Sequence, residues 1–199
     1  MTKSETGQMI VKPSAEGLAA SVQAAGRKGP PPVHLWNPPF CGELDIRIAR
    51  DGTWLYLGSP IDRIPMVKLF SSILRAEDGR YVLVTPVEKV GIQVDDLPLH
   101  ATDFTATGTG RDQTLTFTTR TDDTATAGPD NPLLIPRDAS TGEPAPQVLI
   151  RPGLSARIDR KSFYRLADLG THEPLDGSSW FGVWSSGVFF PMIPSNELL

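Results

Sequence analysis

Residues 61–70 read IDRIPMVKLF and residues 158–167 read IDRKSFYRLA. Each stretch follows a strand-like run and opens an apolar stripe. Superimposing the two brings Met66 onto Phe163, Leu69 onto Leu166 and Phe70 onto Ala167. That is the i, i+3, i+4 spacing of a helix that packs on something. In both copies the Asp stands where an N-cap belongs, its carboxylate able to accept from the free N–H groups of the first turn. A shared tripeptide means little by itself, so the matched context carries the reading. It predicts a duplicated strand–helix unit, with helices over 62–74 and 159–169 and two similar half-chains.

Upstream of the first copy, LDIRIAR and TWLYLG flank Asp51-Gly52, a strong hairpin signal. A two-residue turn there pairs Ile48 with Leu55 and Ile46 with Leu57. The opposite face then carries Asp45, Arg47, Trp54 and Tyr56. That face is too aromatic for bare solvent, so another part of the molecule or a ligand is expected to cover it. Further upstream, residues 1–13 read as disordered and Ser14–Ala25 as a short helix stopped by Gly26. Five prolines in residues 26–39 make an extended strap against the first domain.

Downstream, strand patterns run over Arg80–Thr85, Val87–Val94, Leu99–Thr107, Thr114–Arg120, Gln147–Arg151 and Leu154–Ile158. WFGVWSSGVFF, residues 180–190, closes the chain as a strand or bent pair, and residues 121–146 are loop-like around Leu133-Leu134-Ile135. The fold class expected is α+β: duplicated β-rich domains, each with one packed helix, and mostly antiparallel sheet. The divisions are a disordered start and N-terminal helix over 1–30, a first domain over 31–96 and a second over 97–199.

The chain has 199 residues, enough for two domains of about 100 each. Its net charge of −4 argues against gripping a nucleic-acid polymer. The N-terminus lacks the apolar core of a signal peptide, and no run of 18 apolar residues spans a membrane. The expected location is the cytoplasm. The single cysteine, Cys41, excludes an internal disulfide and a cysteine zinc cluster.

His34, His100 and His172 lie apart with no metal-ligand spacing, and Gly108-Thr109-Gly110 reads as a turn between Thr-rich strands. There is no GxSxG, GxxxxGK[ST] or HExxH. No catalytic residue, metal or cofactor is assigned. Asp95 and Asp96 are adjacent and point to opposite faces of an extended chain, so they make no acid–base dyad. Arg63 and Arg160 hold matching first-turn positions, and Arg47 shares a face with Trp54. Guanidinium groups, helix-start N–H groups and aromatic planes suit an anionic, ring-bearing small molecule. The plainer reading is that each Arg pairs with a carboxylate at the domain interface. With Trp36 and Trp184, the candidate ligand-binding set is Arg47, Trp54, Arg63, Arg160, Trp36 and Trp184.

Residues 34–99 carry Trp36-Asn37-Pro38, Asp51-Gly52-Thr53-Trp54, Gly58, Ile61, Arg63, Leu69-Phe70, Tyr81, Thr85-Pro86, Glu88 and Asp95. Through these the chain resembles the proteobacterial "domain of unknown function 1285" family. The likeness continues more weakly through Arg151–Arg157 and Arg160 to Trp184–Phe189. The resemblance implies a duplicated core whose second half is similar to pleckstrin-homology folds. It implies no established activity, and a ligand site at the domain interface for a nucleotide-like molecule in signalling. The leading expectation is a small-ligand-binding regulatory protein. The alternative is an adaptor that docks a signalling protein on a pleckstrin-like surface, and an enzyme stands third.

Overall fold

The computed structural model describes residues 13–24 and 29–198. The expectations of a disordered start and of a stop at Gly26 fall on residues 1–12 and 25–28, outside those described. Helix α1 (Ala15–Ala24) starts at Ser14, whose Oγ accepts from Gly17 N at 3.1 Å. It buries Ala15 and Leu18 and lies against the next helix.

The first half then runs β1 (Phe40–Ile48), β2 (Trp54–Tyr56), β3 (Ser59–Pro60), α2 (Ile64–Ser72), β4 (Leu74–Glu77), β5 (Arg80–Val84) and β6 (Lys89–Val94). These six strands form one sheet in the order β3-β2-β1-β6-β5-β4. Two antiparallel meanders meet at its centre through the parallel pair β1 and β6. The second half runs β7 (Leu99–Thr107), β8 (Thr114–Thr119), β9 (Thr124–Thr126), β10 (Leu133–Leu134), β11 (Gln147–Arg151), β12 (Leu154–Ile158), α3 (Arg160–Ala167), β13 (Thr171–Leu175), β14 (Ser178–Ser185) and β15 (Val188–Pro194). A six-stranded sheet in the order β10-β11-β12-β7-β8-β9 again joins two meanders through a central parallel pair, β12 and β7. Strands β13, β14 and β15 make a separate antiparallel sheet. The fold is α+β and duplicated, and buried side chains of both halves form one contiguous cluster.

The topology shows where the duplication lies. Meander, Ile-Asp-Arg helix, meander occurs as β1–β3, α2, β4–β6 and again as β10–β12, α3, β13–β15. In the first unit the first and last strands, β1 and β6, are hydrogen-bonded neighbours, whereas in the second β10 lies near β15 without pairing with it. The meander β7–β9 stands outside this repeat and takes up the free side of β12.

Three expectations are corrected. The hairpin after β1 has a three-residue loop: Gly52 N donates to Ala49 O at 2.9 Å, Gly52 has φ +82°, and Ala49 N donates to Thr53 O at 2.9 Å. A type I turn with a left-handed glycine adds one residue to the two-residue turn, and a one-residue slip exchanges the faces. Ile48 therefore pairs with Trp54 and Ile46 with Tyr56. Trp54 belongs to the core layer, 4% exposed and stacked on Phe70 with centroids 6.3 Å apart.

The N-cap of α2 is Arg63, not Asp62. In the second copy Asp159 accepts from Ser162 N at 2.7 Å. The equivalent residue in the first copy is Pro65, which has no N–H to give. The helix therefore begins one residue later. Finally, Leu74 belongs not to the helix but to β4, where it pairs with Leu83.

The buried faces of the two helices also differ. Helix α2 buries Val67, Phe70 and Ser71, whereas α3 buries Ser162 and Leu166. The rotated α3 leaves Phe163 only partly covered.

Candidate functional site

Residues on one side of α3 recur at 160, 163, 164 and 167, a helical stripe distinct from the buried pair Ser162 and Leu166. This stripe faces a groove made of two adjoining cavities. One, of about 170 Å³, is lined by Ile135, Arg137, Pro144, Phe163, Ala167, Phe181, Met192, Ile193 and Leu198. The other, of about 360 Å³, is lined by Glu143, Pro144, Pro146, Arg157, Ile158, Arg160, Phe163 and Tyr164. Phe163 and Pro144 border both. The larger alone reaches the size of small-ligand pockets, roughly 300–1,000 Å³.

Each wall is fixed by local chemistry. Phe181 projects from β14 over Gly170, where an added Cβ would fall 2.0 Å from the ring, so only glycine fits. His172 tilts against the same ring at 5.3 Å between centroids. The loop wall, residues 135–146, is knotted by Asp138: its Oδ1 accepts from Ser140 N at 2.9 Å and Thr141 N at 3.0 Å, and from Ser140 Oγ. Arg50 of the first half reaches Asp138 Oδ2 at 3.4 Å. These donors hold the Asp138 carboxyl well below the ordinary carboxylate range.

The mouth carries Arg157 and Arg160 together with Glu143, and the apolar cavity has one charged lining residue, Arg137. Arg160 donates to Tyr164 Oη at 3.0 Å, and its guanidinium lies 5.7 Å from that ring's centre. Among the described residues Arg160 makes no ion pair; its hydrogen bond to Tyr164 and, less, the charge of Glu143 raise its pKa. Arg157 is already bound: Nε and Nη2 grip both oxygens of Asp96 at 2.9 and 2.8 Å. Its Nη1 donates to Ala145 O in the loop wall. Arg137 pairs with Glu197 at 3.1 Å.

Arg157 thus joins the groove to the linker between the halves. Asp95, the preceding residue, is gripped in the same way by Arg47 of β1, at 2.8 and 2.9 Å. The two adjacent acids clamp the linker to a strand on each side. Elsewhere along the seam Arg151 Nη2 donates to Ser71 O at 2.8 Å, and Lys68 pairs with Asp122. His100 Nε2 meets Arg50 O at 2.9 Å, and burial lowers its pKa. The cavity beside His100 and Trp54 is about 10 Å³, room for about one water.

Of the six candidate ligand-binding residues, Arg160 lines the groove. Arg47 is committed to Asp95. Trp54 is in the first core. Arg63 is exposed at the start of α2. Trp36 packs partly against the core, with its carbonyl held by Arg75 Nη1 at 2.8 Å. Trp184 lines a separate recess of about 220 Å³, its indole N–H on Glu173 at 3.1 Å and Arg111 stacked over it at 4.8 Å. The groove residues absent from that set are chiefly Phe163, Phe181, Met192, Arg137 and Arg157. Phe163 was legible only as a member of the apolar stripe matched to Met66. The others come together only through the tertiary fold. Among the described residues no group of three or more His, Cys, Asp or Glu side chains can hold a metal ion, and no helix is long and apolar enough to cross a membrane.

The N-terminal domain model of DUF1285, a domain of unknown function, matches residues 31–97, and its C-terminal counterpart matches residues 98–192. The chain belongs to the DUF1285 family. A DUF1285 family protein from Silicibacter pomeroyi DSS-3, solved by crystallography at 2.50 Å, is 62% identical to this DUF1285 chain. The match covers 92% of this chain and 97% of that one, with a TM-score of 0.83. A DUF1285 family protein from Shewanella baltica OS155 is 27% identical over 62% of this chain and 90% of that one, with a TM-score of 0.49. The comparison with curated proteins finds no match.

Proposed function

We propose that this DUF1285 chain is a cytoplasmic regulatory protein that binds a small amphipathic anion in the groove beside α3. One observation carries the reading: an apolar wall of Phe163, Phe181, Met192 and Ile193 runs directly into a mouth that presents Arg160 and Arg157. An apolar body removed from water contributes affinity, and the Arg160 guanidinium orients an anionic head. The nucleotide-like ligand implied by the family resemblance shares the anionic head, but the deep wall favours an acyl or aryl body. A regulatory role is supported by Arg157, which lines the groove and also clamps Asp96 of the linker. An anion that draws on Arg157 acts on the contact joining the two halves.

The test uses 1-anilinonaphthalene-8-sulfonate, a fluorescent amphipathic anion, with the folded full-length chain. Saturable one-site binding is expected. Arg160→Gln should weaken it at least about tenfold, the loss of one hydrogen bond to a charged group. Ala167→Trp, which fills the apolar cavity, should abolish it. Absence of saturable binding, or binding indifferent to both substitutions, overturns the reading.

A further inference from the structure

We infer that Glu197 and Leu198 are a built-in occupant of this groove, and that the molecule displacing them is an aliphatic carboxylate. The inference rests on the reading of the groove as a ligand seat. Leu198 lines the apolar cavity together with Phe163 and Ala167. Its neighbour Glu197 places a carboxylate on Arg137 at 3.1 Å. One acidic oxygen on an arginine and one branched aliphatic chain over an apolar wall are the two halves of an aliphatic acid.

The same contacts are weak enough to be exchanged. Leu198 keeps 43% of its surface exposed, so it is only half seated. The Arg137 and Glu197 side chains are 56% and 52% exposed, where an ion pair is screened and contributes little. Just before them the chain is anchored: Ser195 Oγ meets His172 Nδ1 at 2.8 Å and Ser179 Oγ at 2.9 Å. Ser195 is therefore a fixed point from which Glu197 and Leu198, two and three residues further on, leave the cavity without unfolding the sheet. A tethered occupant competes as a high local concentration, and a ligand's apparent affinity falls by the fraction of molecules in which the seat is open.

The experiment is calorimetric titration of decanoate into three forms of the protein: the full chain, a chain ending after Ser195, and full-length Leu198→Asp. The last keeps the test valid where the shortened chain fails to fold. With the seat closed in about nine molecules of ten, both altered forms bind decanoate about tenfold more tightly than the full chain. Equal affinity in all folded forms overturns the built-in occupant while leaving the groove as a seat. Failure of decanoate to bind any form, with 1-anilinonaphthalene-8-sulfonate still bound, overturns the aliphatic class. Failure of both compounds removes the reading of the groove itself. Decyltrimethylammonium serves as the charge control, and binding equal to that of decanoate overturns the requirement for a carboxylate.

Discussion

Replacing Asp96 by alanine opens the clamp that ties the linker to the second half. Asp96 accepts two hydrogen bonds from Arg157, at 2.9 and 2.8 Å. The Arg157 and Asp96 side chains retain only 21% and 20% of their surface. An exposed pair contributes about 0–1 kcal/mol, and stripping one partner from a fully buried pair costs about 3–5 kcal/mol. A bidentate pair four-fifths covered falls between, at about 2 kcal/mol. For a chain of 199 residues that lowers Tm by roughly 4–8 °C. Asp95→Ala is the internal control, because it removes the same side chain from the same linker and breaks the same kind of clamp. Its partner Arg47 is 51% exposed, so the expected shift is distinctly smaller. Thermal unfolding of D96A, D95A, R157M and the D96A/R157M double variant measures both the ranking and the coupling. The Asp96–Arg157 coupling should be about 1–2 kcal/mol. Equal shifts for D95A and D96A, or additive effects of D96A and R157M, would refute the argument from burial.

Gly52→Ala should destabilise the chain by about 1–3 kcal/mol, because φ is +82° and the new Cβ would sit 2.8 Å from the His100 ring. Gly187→Ala, at φ +75° with open space around it, carries only the backbone penalty, and urea midpoints should rank the two in that order. Burial lowers the pKa of His100, which faces Arg50 O, Gly52, Asp51, Asp96 and Arg120. The fold therefore favours neutral His100, its contribution is complete above the unfolded value near 6.5, and stability falls as pH drops through and below it. His100→Gln should flatten the dependence of the urea midpoint between pH 7.5 and about 5.5, and an unchanged slope would speak against it. A second loss belongs at lower pH, where Asp95, Asp103, Asp138 and Glu77, all held below their ordinary values by their donors, become protonated. Gly170→Ala should displace Phe181 and reduce binding of 1-anilinonaphthalene-8-sulfonate, whereas Gly177→Ala, with nothing near its Cβ position, should leave it intact.

Local chemistry made much of the fold legible. The Ile-Asp-Arg copies mark two real helices, and the strands over Leu99–Thr107, Gln147–Arg151 and Leu154–Ile158 stand where alternation places them. What failed depended on a single atom or a single residue. The missing N–H of Pro65 moves the start of α2, and one extra loop residue at Asp51-Gly52 turns Trp54 from the outer face into the core. Strand β4 was hidden because Leu74 continues the apolar pattern of α2, and β13 because THEPL offers one large apolar residue, Leu175, next to a Pro that argues against a strand. The arginines illustrate a deeper limit. Sequence marks Arg47 and Arg157 only as cations, and the linker acids that neutralise them are distant in the chain. Arg160 keeps its role as a candidate because no carboxylate among the described residues pairs with it. The groove escapes a sequence reading because its walls come from α3, the 135–146 loop and the β14–β15 pair, separated by long stretches of chain.

Whether the groove beside α3 is the ligand seat is decided by a two-dimensional amide and indole NMR titration of the full chain with decanoate. Saturable shifts are expected at Phe163, Tyr164, Phe181 and Met192 and at residues 197–198, while the indole signals of Trp36, Trp54 and Trp184 stay in place. Shifts concentrated on Trp54 and His100 at the seam, or on Trp184, with α3 unmoved, would contradict it.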